Sequence, residues 1–298
     1  MKISKHYLAA MLAFTMWGFF SIPLKALAGY LPGSILYYRI VFSVLILFFL
    51  LIFFRRKSIA ESFNHFNLQS ARKKWILVIL TLAGGALLTI NWLTFIQIVN
   101  HINVKTAAFS YLVCPVLTAL LGVWLLKESL TGLQWFAVLL CVISCLMIGL
   151  NSWLELGFSF LTALTYALYL ISQRKNQGFD RLLVLGIQIL FALLVLTFLP
   201  TGIVVDTPTS ISFYLLTALI AVFFTVIPLF LNLYALNKVN AATIGLLMYI
   251  NPLLNFALAV FWFKESVSAM QAIGYAIVFI ALVIFNIKWI LKKSYQLN

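Results

Sequence analysis

The residues of this sequence that could contact a ligand are prolines and polar side chains inside long apolar segments. Pro115 and Pro252 each lie near the centre of such a segment. A proline has no backbone N–H, and its ring crowds the carbonyl four residues earlier, so that this carbonyl loses its helical partner. In hydrocarbon the freed carbonyl needs a partner from protein, water or ligand. The prolines therefore predict either simple helix kinks or a ligand site at mid-membrane depth.

Two amides and one cation accompany these prolines. Asn251 and Asn255 are four residues apart and share one helix face beside Pro252. Polar groups at this depth either face a wet cavity or bond to a neighbouring helix. Arg39 is the one charged residue clearly inside an apolar segment. It either extends outward to the polar boundary or pairs with an anionic substrate group or a freed carbonyl.

Aromatic side chains lie deep in other segments and suit the walls of a cavity. Trp17 lies within the first segment, and Asn91 lies with its neighbour Trp92 in the third. Tryptophan and tyrosine near segment ends would instead mark the membrane boundary. We expect the substrate site to be formed by Trp17, Arg39, Asn91, Tyr111, Pro115, Tyr166, Tyr169, Tyr249, Asn251, Pro252 and Asn255.

The ionisable residues do not indicate catalysis or metal binding. The 6 acidic residues and 3 histidines all fall in loops or at segment ends. The 3 cysteines lie in apolar segments, without the histidines or second cysteine pair that would complete a metal site. We therefore expect no enzyme activity, no cofactor and no metal. The sequence also offers no embedded carboxylate that could relay protons.

The composition is that of a helical membrane protein. Of 298 residues, 64% are hydrophobic and 9% are charged, and the mean hydropathy is +1.12. Apolar segments of about 30 Å, at ~1.5 Å per helical residue, are long enough to cross a bilayer. The predicted fold is an all-α integral membrane protein with ten transmembrane helices, near residues 6–25, 34–54, 75–98, 104–126, 131–150, 153–172, 182–203, 211–236, 241–263 and 270–290.

The two prolines belong to an internal repeat. The stretch from Asn100 to Gln134 aligns without a gap with the stretch from Asn237 to Gln271. Such a repeat with a proline inside an apolar segment is typical of a transporter binding site. The identical residues are Asn100/Asn237, Asn103/Asn240, Thr106/Thr243, Pro115/Pro252, Val123/Val260, Lys127/Lys264, Glu128/Glu265, Ser129/Ser266 and Gln134/Gln271.

The basic residues predict that the two copies insert in opposite directions. With the N-terminus in the cytoplasm, most of the 20 lysines and arginines fall in cytoplasmic loops. This distribution explains the +14 net charge, and we expect no nucleic-acid partner. Ser129 then follows the fourth helix inside, whereas Ser266 follows the ninth outside. We therefore predict two inverted five-helix repeats, residues 1–150 and 151–298, with both termini cytoplasmic.

A set of short motifs runs along nearly the whole chain and is specific in combination. It includes Trp17-Gly18, Pro23, Lys25, Arg39, Ser43, Asn91-Trp92, Ser110-Tyr111, Pro115, Glu128, Gln134-Trp135, Arg174-Lys175, Ile227-Pro228-Leu229, Tyr249-Ile250, Pro252 and Glu265. With these motifs the chain resembles the RarD-type chloramphenicol-sensitivity permeases, which belong to the EamA branch of the drug/metabolite transporter superfamily. The resemblance implies ten helices in two inverted repeats, a central cavity and transport, often export, of small organic metabolites.

The predicted function is therefore an inner-membrane carrier that moves small organic metabolites or drug-like amphiphiles by alternating access, in the export direction. Its partners would be a small-molecule substrate and membrane lipids, and homo-oligomerisation stays open. Because no embedded acid offers proton coupling, an uncoupled facilitator or a lipid scramblase is the alternative.

Overall fold

The computed structural model describes residues 5–102, 104–148, 153–176, 179–198, 207–264 and 266–294. All secondary structure in these ranges is helical. The elements are α1 Lys5–Gly18, α2 Ser21–Lys25, α3 Pro32–Phe54, α4 Arg56–Asn67, α5 Ala71–His101, α6 Val104–Leu126, α7 Gly132–Ile148, α8 Trp153–Lys175, α9 Arg181–Phe198, α10 Ile211–Ala221, a π-helical turn Val222–Val226, α11 Ile227–Leu236, α12 Ala241–Leu247, α13 Ile250–Phe261 and α14 Ala269–Ser294.

Eight helical stretches in the described ranges are long and apolar enough to cross a membrane. Two shorter apolar helices, Gly132–Met147 and Ala269–Phe285, accompany them. Large apolar side chains cover the surface, including Trp124, which is 77% exposed. Such a surface is stable only in an apolar solvent, so the protein is a multi-pass membrane protein.

Within the described residues, each of the ten predicted segments falls on helical structure. The first, eighth and ninth predicted segments are each built from two helical pieces, joined respectively at Phe19–Phe20, at the π turn Val222–Val226 and at Met248–Tyr249. The predicted end of the seventh segment at residue 203 lies outside the described residues, as do the predicted boundary between residues 150 and 151 and the repeat residues Asn103 and Glu265.

The repeated sequence adopts the same local structure in both copies. Lys127 and Lys264 each follow an apolar helix and adopt a left-handed backbone, with φ of 55° and 54°. This conformation is common where a helix ends. The side chain of Gln134 then accepts a hydrogen bond from the backbone N–H of Thr131 at 2.9 Å, as Gln271 does from Ser268 at 3.1 Å. In both copies of the repeat, therefore, one helix ends and the next helix is capped in the same way.

The helices pack into a bundle whose interior is formed by elements from the whole length of the chain. α1 lies against α11 and α13, α6 lies against α8, α12 and α13, and α5 lies against α8 and α9. α7 packs mainly on α14, where Ser144 donates a hydrogen bond to the carbonyl of Gly274 at 2.8 Å. The helices that carry the predicted site residues are thus in mutual contact.

Two glycines permit close helix contacts between the two halves of the sequence. A Cβ on Gly18 would lie 2.7 Å from the Cβ of Leu254, and a Cβ on Gly245 would lie 2.9 Å from that of Thr118. α1 therefore meets α13, and α12 meets α6, so closely that a larger residue at either glycine would collide with a side chain of the facing helix.

Candidate functional site

The centre of the bundle is organised around the carbonyl of Phe224 in the π-helical turn. Pro228, four residues later, has no N–H to offer this carbonyl. The indole Nε1 of Trp17 donates to the Phe224 oxygen at 2.9 Å, and Nη2 of Arg39 approaches it at 3.5 Å. A proline-freed carbonyl is thus satisfied by side chains from α1 and α3, as the hydrocarbon interior requires.

Arg39 is buried in the bundle, with 1% of its surface exposed. Its Nε donates to the hydroxyl of Thr225 at 2.6 Å. The guanidinium carbon lies 5.0 Å from the ring centre of Phe20 and 4.6 Å from that of Trp92. Nη1 has no hydrogen-bond partner. Arg39 therefore does not extend outward to the polar boundary; its charge is held inside by aromatic rings and neutral oxygens.

A hydrogen-bonded aromatic layer adjoins the arginine. The hydroxyl of Tyr111 donates to Oδ1 of Asn91 at 3.3 Å, and Nδ2 of Asn91 donates to the carbonyl of Thr162 at 2.7 Å. The ring of Tyr166 lies edge-on to Trp17 at 6.0 Å and to Tyr111 at 6.2 Å. These contacts join α1, α5, α6 and α8.

The amides of α13 form a second polar group. Nδ2 of Asn255 donates to the side-chain oxygen of Asn251, and the hydroxyl of Ser21 donates to Oδ1 of Asn255. Near Pro252, the carbonyl of Met248 accepts the backbone N–H of Asn251 at 3.0 Å, which closes the short break between α12 and α13. The asparagines thus bond to each other and to α2, while Asn251 also reaches the cavity.

These groups surround a small central cavity of about 20 Å³. This volume holds about one water molecule, so the cavity has no room for an organic molecule in this conformation. Five predicted site residues line the cavity, and four other side chains complete it. The predicted ones are Trp17, Arg39, Tyr111, Tyr166 and Asn251; the others are Phe20, Trp92, Phe95 and Met248.

The remaining predicted residues do not line this cavity. Asn91 accepts a hydrogen bond from Tyr111, the tilted ring of Tyr169 lies 5.6 Å from that of Tyr166, and Asn255 bonds to Asn251. Pro115 and Pro252 are buried in their helices, and α6 continues through Pro115 without interruption. Tyr249 belongs to a separate apolar cluster with residues of α6, α7 and α14.

Sequence patterns do not distinguish Phe20, Phe95 and Met248 from lipid-facing apolar residues, because all three lie within predicted membrane-spanning segments that are rich in apolar residues. Thr225 is an isolated hydroxyl that could equally bond within its own helix. Pro228 is the residue of the sequence that indicates this part of the site, because the carbonyl that it frees lies four residues earlier, at Phe224. Among the described residues, no group of three His, Cys, Asp or Glu side chains could hold a metal ion.

A sequence model of the EamA-like transporter family matches residues 4–150 and again residues 153–287. The chain belongs to the EamA-like transporter family. Together the two matches cover nearly the whole chain, so the family assignment includes every helix that contributes to the central cavity.

Curated relatives of this EamA-family chain include proteins named RarD. An uncharacterized transporter of Vibrio cholerae is 33% identical, and the alignment covers 95% of this chain and 92% of the relative. Protein RarD of Salmonella typhimurium is 30% identical with 93% of each chain covered, and RarD of Escherichia coli is 27% identical with 93% and 92% covered. The predicted resemblance to a RarD-type permease of the drug/metabolite transporter superfamily is confirmed.

A solved crystal structure shares the fold, with a TM-score of 0.65 over 95% of this chain and 96% of that chain. Its sequence is 16% identical, so this likeness concerns the fold alone. The family and the names of the relatives establish a membrane transporter. They agree with the expectation of a non-enzyme, and they do not favour the alternative of an uncoupled facilitator or a lipid scramblase.

Proposed function

We propose that this EamA-family protein is a ten-helix carrier of two inverted five-helix repeats, residues 1–150 and 151–298. It exports small organic metabolites or drug-like amphiphiles across the inner membrane by alternating access, with both termini in the cytoplasm. The observation that supports the proposal is the small central cavity, whose walls come from both halves of the chain. Trp17, Arg39 and Tyr111 contribute from the first half, and Tyr166 and Asn251 from the second.

A cavity of about 20 Å³ is too small for an organic substrate. Substrate must therefore enter a conformation in which the two halves have moved apart. The contacts that would change are side-chain contacts between the halves, such as the hydrogen bond from Trp17 to Phe224 and the ring contact between Tyr111 and Tyr166. Rocking of one half on the other around a central site is the usual motion of inverted-repeat carriers.

A line of buried polar groups continues from the cavity along one face of α8. The Tyr166 hydroxyl accepts a hydrogen bond from Asn232 at 3.0 Å. One turn further, the hydroxyl of Tyr169 has no partner, and neither does Oε1 of Gln173 after another turn. Buried polar atoms without protein partners favour water, so this face suits a solvated path when the bundle opens. In the proposed topology it leads to the cytoplasm.

The inverted arrangement can be tested by labelling. With Cys114, Cys141 and Cys145 replaced by serine, Ser129→Cys and Ser266→Cys would be exposed to a membrane-impermeant maleimide in right-side-out and inverted vesicles. Both serines are exposed in the structure. We expect Ser266→Cys to react in right-side-out vesicles and Ser129→Cys in inverted ones. Labelling of both positions from the same side would exclude opposed halves.

Transport itself requires a flux measurement. Purified protein in proteoliposomes should show saturable flux of members of a metabolite panel, and Asn251→Ala should reduce it because Asn251 reaches the cavity. Asn64→Ala, an exposed asparagine on α4, is the matched control and should transport normally. The carrier proposal fails if no panel member shows saturable flux. Flux that saturates but never accumulates against a gradient, with or without a pH difference, would identify an uncoupled facilitator.

A further inference from the structure

Among the described residues, no carboxylate pairs with the buried Arg39. The described structure contains two ion pairs, Arg55 with Asp180 and Arg174 with Glu128, and neither involves Arg39. Its contacts are a hydroxyl, a carbonyl and two aromatic rings. A buried cation without an anionic partner is costly in hydrocarbon. A ligand that brings the missing anion would remove this cost.

Arg39 lines the cavity, and its two Nη groups make few hydrogen bonds. Nη1 has no partner, and Nη2 has only the long 3.5 Å contact with the Phe224 carbonyl. Nε, by contrast, is held by the 2.6 Å bond to Thr225. The guanidinium is thus oriented by one strong bond while the two Nη groups are available together. Two parallel N–H donors of this kind match the two oxygens of a carboxylate.

The charge and the walls of the cavity restrict the rest of the ligand. One guanidinium balances one negative charge, whereas a phosphate monoester would leave a second charge uncompensated. Among the described residues, no aspartate or glutamate lines the cavity, so a cationic group would find no carboxylate there. The other cavity walls include Trp17, Phe20 and Phe95. Aromatic walls favour an apolar or aromatic body.

We propose that this transporter recognises organic monocarboxylates with an apolar or aromatic body, and that Arg39 binds the carboxylate through Nη1 and Nη2. The inference rests on the proposed transport function, because it assigns the substrate class of the same cavity. Its test is a binding measurement, so that its outcome is independent of whether flux is detected.

Three probes of similar size separate charge from shape: phenylacetate, its neutral amide phenylacetamide, and the cation phenethylamine. Binding is measured as thermal stabilisation of the full chain in lipid nanodiscs over a concentration series. We expect phenylacetate to bind at least about tenfold more tightly than phenylacetamide, because charge-assisted hydrogen bonds are much stronger than neutral ones. Phenethylamine should give no stabilisation.

Arg39→Gln should abolish the preference for the carboxylate, and Arg39→Lys should keep part of it. Arg181→Gln is the matched control, because Arg181 is also buried but bonds to Asn237 and to the carbonyls of Gln173 and Asn176, away from the cavity. It should retain the preference. If Arg39→Gln does not fold, the comparison of the three probes on the unmodified protein still tests whether the cavity prefers a carboxylate.

Equal binding of phenylacetate and phenylacetamide, or stronger binding of phenethylamine, would overturn the inference. An unchanged carboxylate preference in folded Arg39→Gln would overturn it as well. So would a lack of stabilisation by every member of a series of aromatic and aliphatic monocarboxylates. Saturable flux of neutral or cationic compounds alone would contradict the substrate class while leaving the carrier intact. Carboxylate binding without any flux would contradict the carrier while leaving the anion site intact.

Discussion

The indole N–H of Trp17 donates to the backbone carbonyl of Phe224 at 2.9 Å, across 207 residues of sequence. This bond joins the first helix to the π-helical turn before α11, at the position where Pro228 removes the helical donor. It is therefore both a structural bond and a contact between the two halves of the chain. The edge-on contact between Trp17 and Tyr166 places the same side chain in the cavity wall.

Trp17→Phe tests this bond, because it removes the donor and keeps an aromatic ring. We expect a loss of about 1 kcal/mol in the free energy of unfolding, since one buried acceptor loses its partner. The melting temperature of the detergent-purified protein should fall by roughly 2 °C. Trp124→Phe, at an exposed lipid-facing tryptophan, is the control and should melt as the unmodified protein does. Equal melting temperatures of Trp17→Phe and Trp124→Phe would show that the Phe224 carbonyl accepts a hydrogen bond from another donor.

Pro228→Ala tests whether the freed carbonyl serves transport. The alanine supplies an N–H that competes with Trp17 and Arg39 for the Phe224 oxygen. We expect the protein to fold with equal or higher thermal stability but to transport about fivefold more slowly, the equivalent of one hydrogen bond of about 1 kcal/mol. Pro32→Ala, in the first turn of α3 where a proline costs no hydrogen bond, is the comparison. Unchanged flux in Pro228→Ala would show that the freed carbonyl of Phe224 has no role in transport.

Gly245→Ala tests the close approach of α12 to α6. An added methyl would lie 2.9 Å from Thr118 Cβ and 3.0 Å from its Cγ2, so that one helix must move. Overpacking of this kind costs about 1–3 kcal/mol, and we expect a lower melting temperature together with reduced flux. Gly132→Ala is the matched control, because a Cβ there has nothing within 4 Å. A melting temperature of Gly245→Ala equal to that of the control would mean that the helices adjust without cost.

Glu128→Ala tests whether the contacts of Glu128 keep the bundle closed at the end that carries the α6–α7 loop. Oε1 of Glu128 accepts the backbone N–H of Ala241 at 3.0 Å and lies 3.9 Å from Nε of Arg174, so it links the α6–α7 loop to α12 and α8. We expect the variant to open this end more often. The reporter is Tyr169→Cys in a background without native cysteines, and a water-soluble thiol reagent should modify it several-fold faster.

The control for this reporter is Glu61→Ala, which changes an exposed glutamate on α4 and should leave the reaction rate of the Tyr169→Cys thiol unchanged. If Glu128→Ala also leaves it unchanged, then other contacts between α6, α8 and α12 hold this end closed. Burial of Tyr169 in the unmodified protein makes a slow starting rate the expected baseline.

The sequence alone determined that the chain is helical and lies in a membrane, and it located the segments and the internal repeat. Segment hydropathy and the capping residues act locally, which is why the left-handed backbone at Lys127 recurs at Lys264. The family followed from the same residues. Pro115 and Pro252 could likewise be found from sequence, although α6 continues through the first while the ninth segment breaks just before the second.

Only the tertiary structure decided which polar side chains meet. Arg39 and Thr225 are 186 residues apart, and their bond exists because α3 packs beside the π-helical turn. Tyr249, by contrast, faces the cluster of α6, α7 and α14. In a segment that is apolar on all sides, periodicity does not tell the face turned to lipid from the face turned to the bundle centre. Helix rotation is set by packing between helices that are distant in sequence, and this packing places the arginine inside an aromatic cavity.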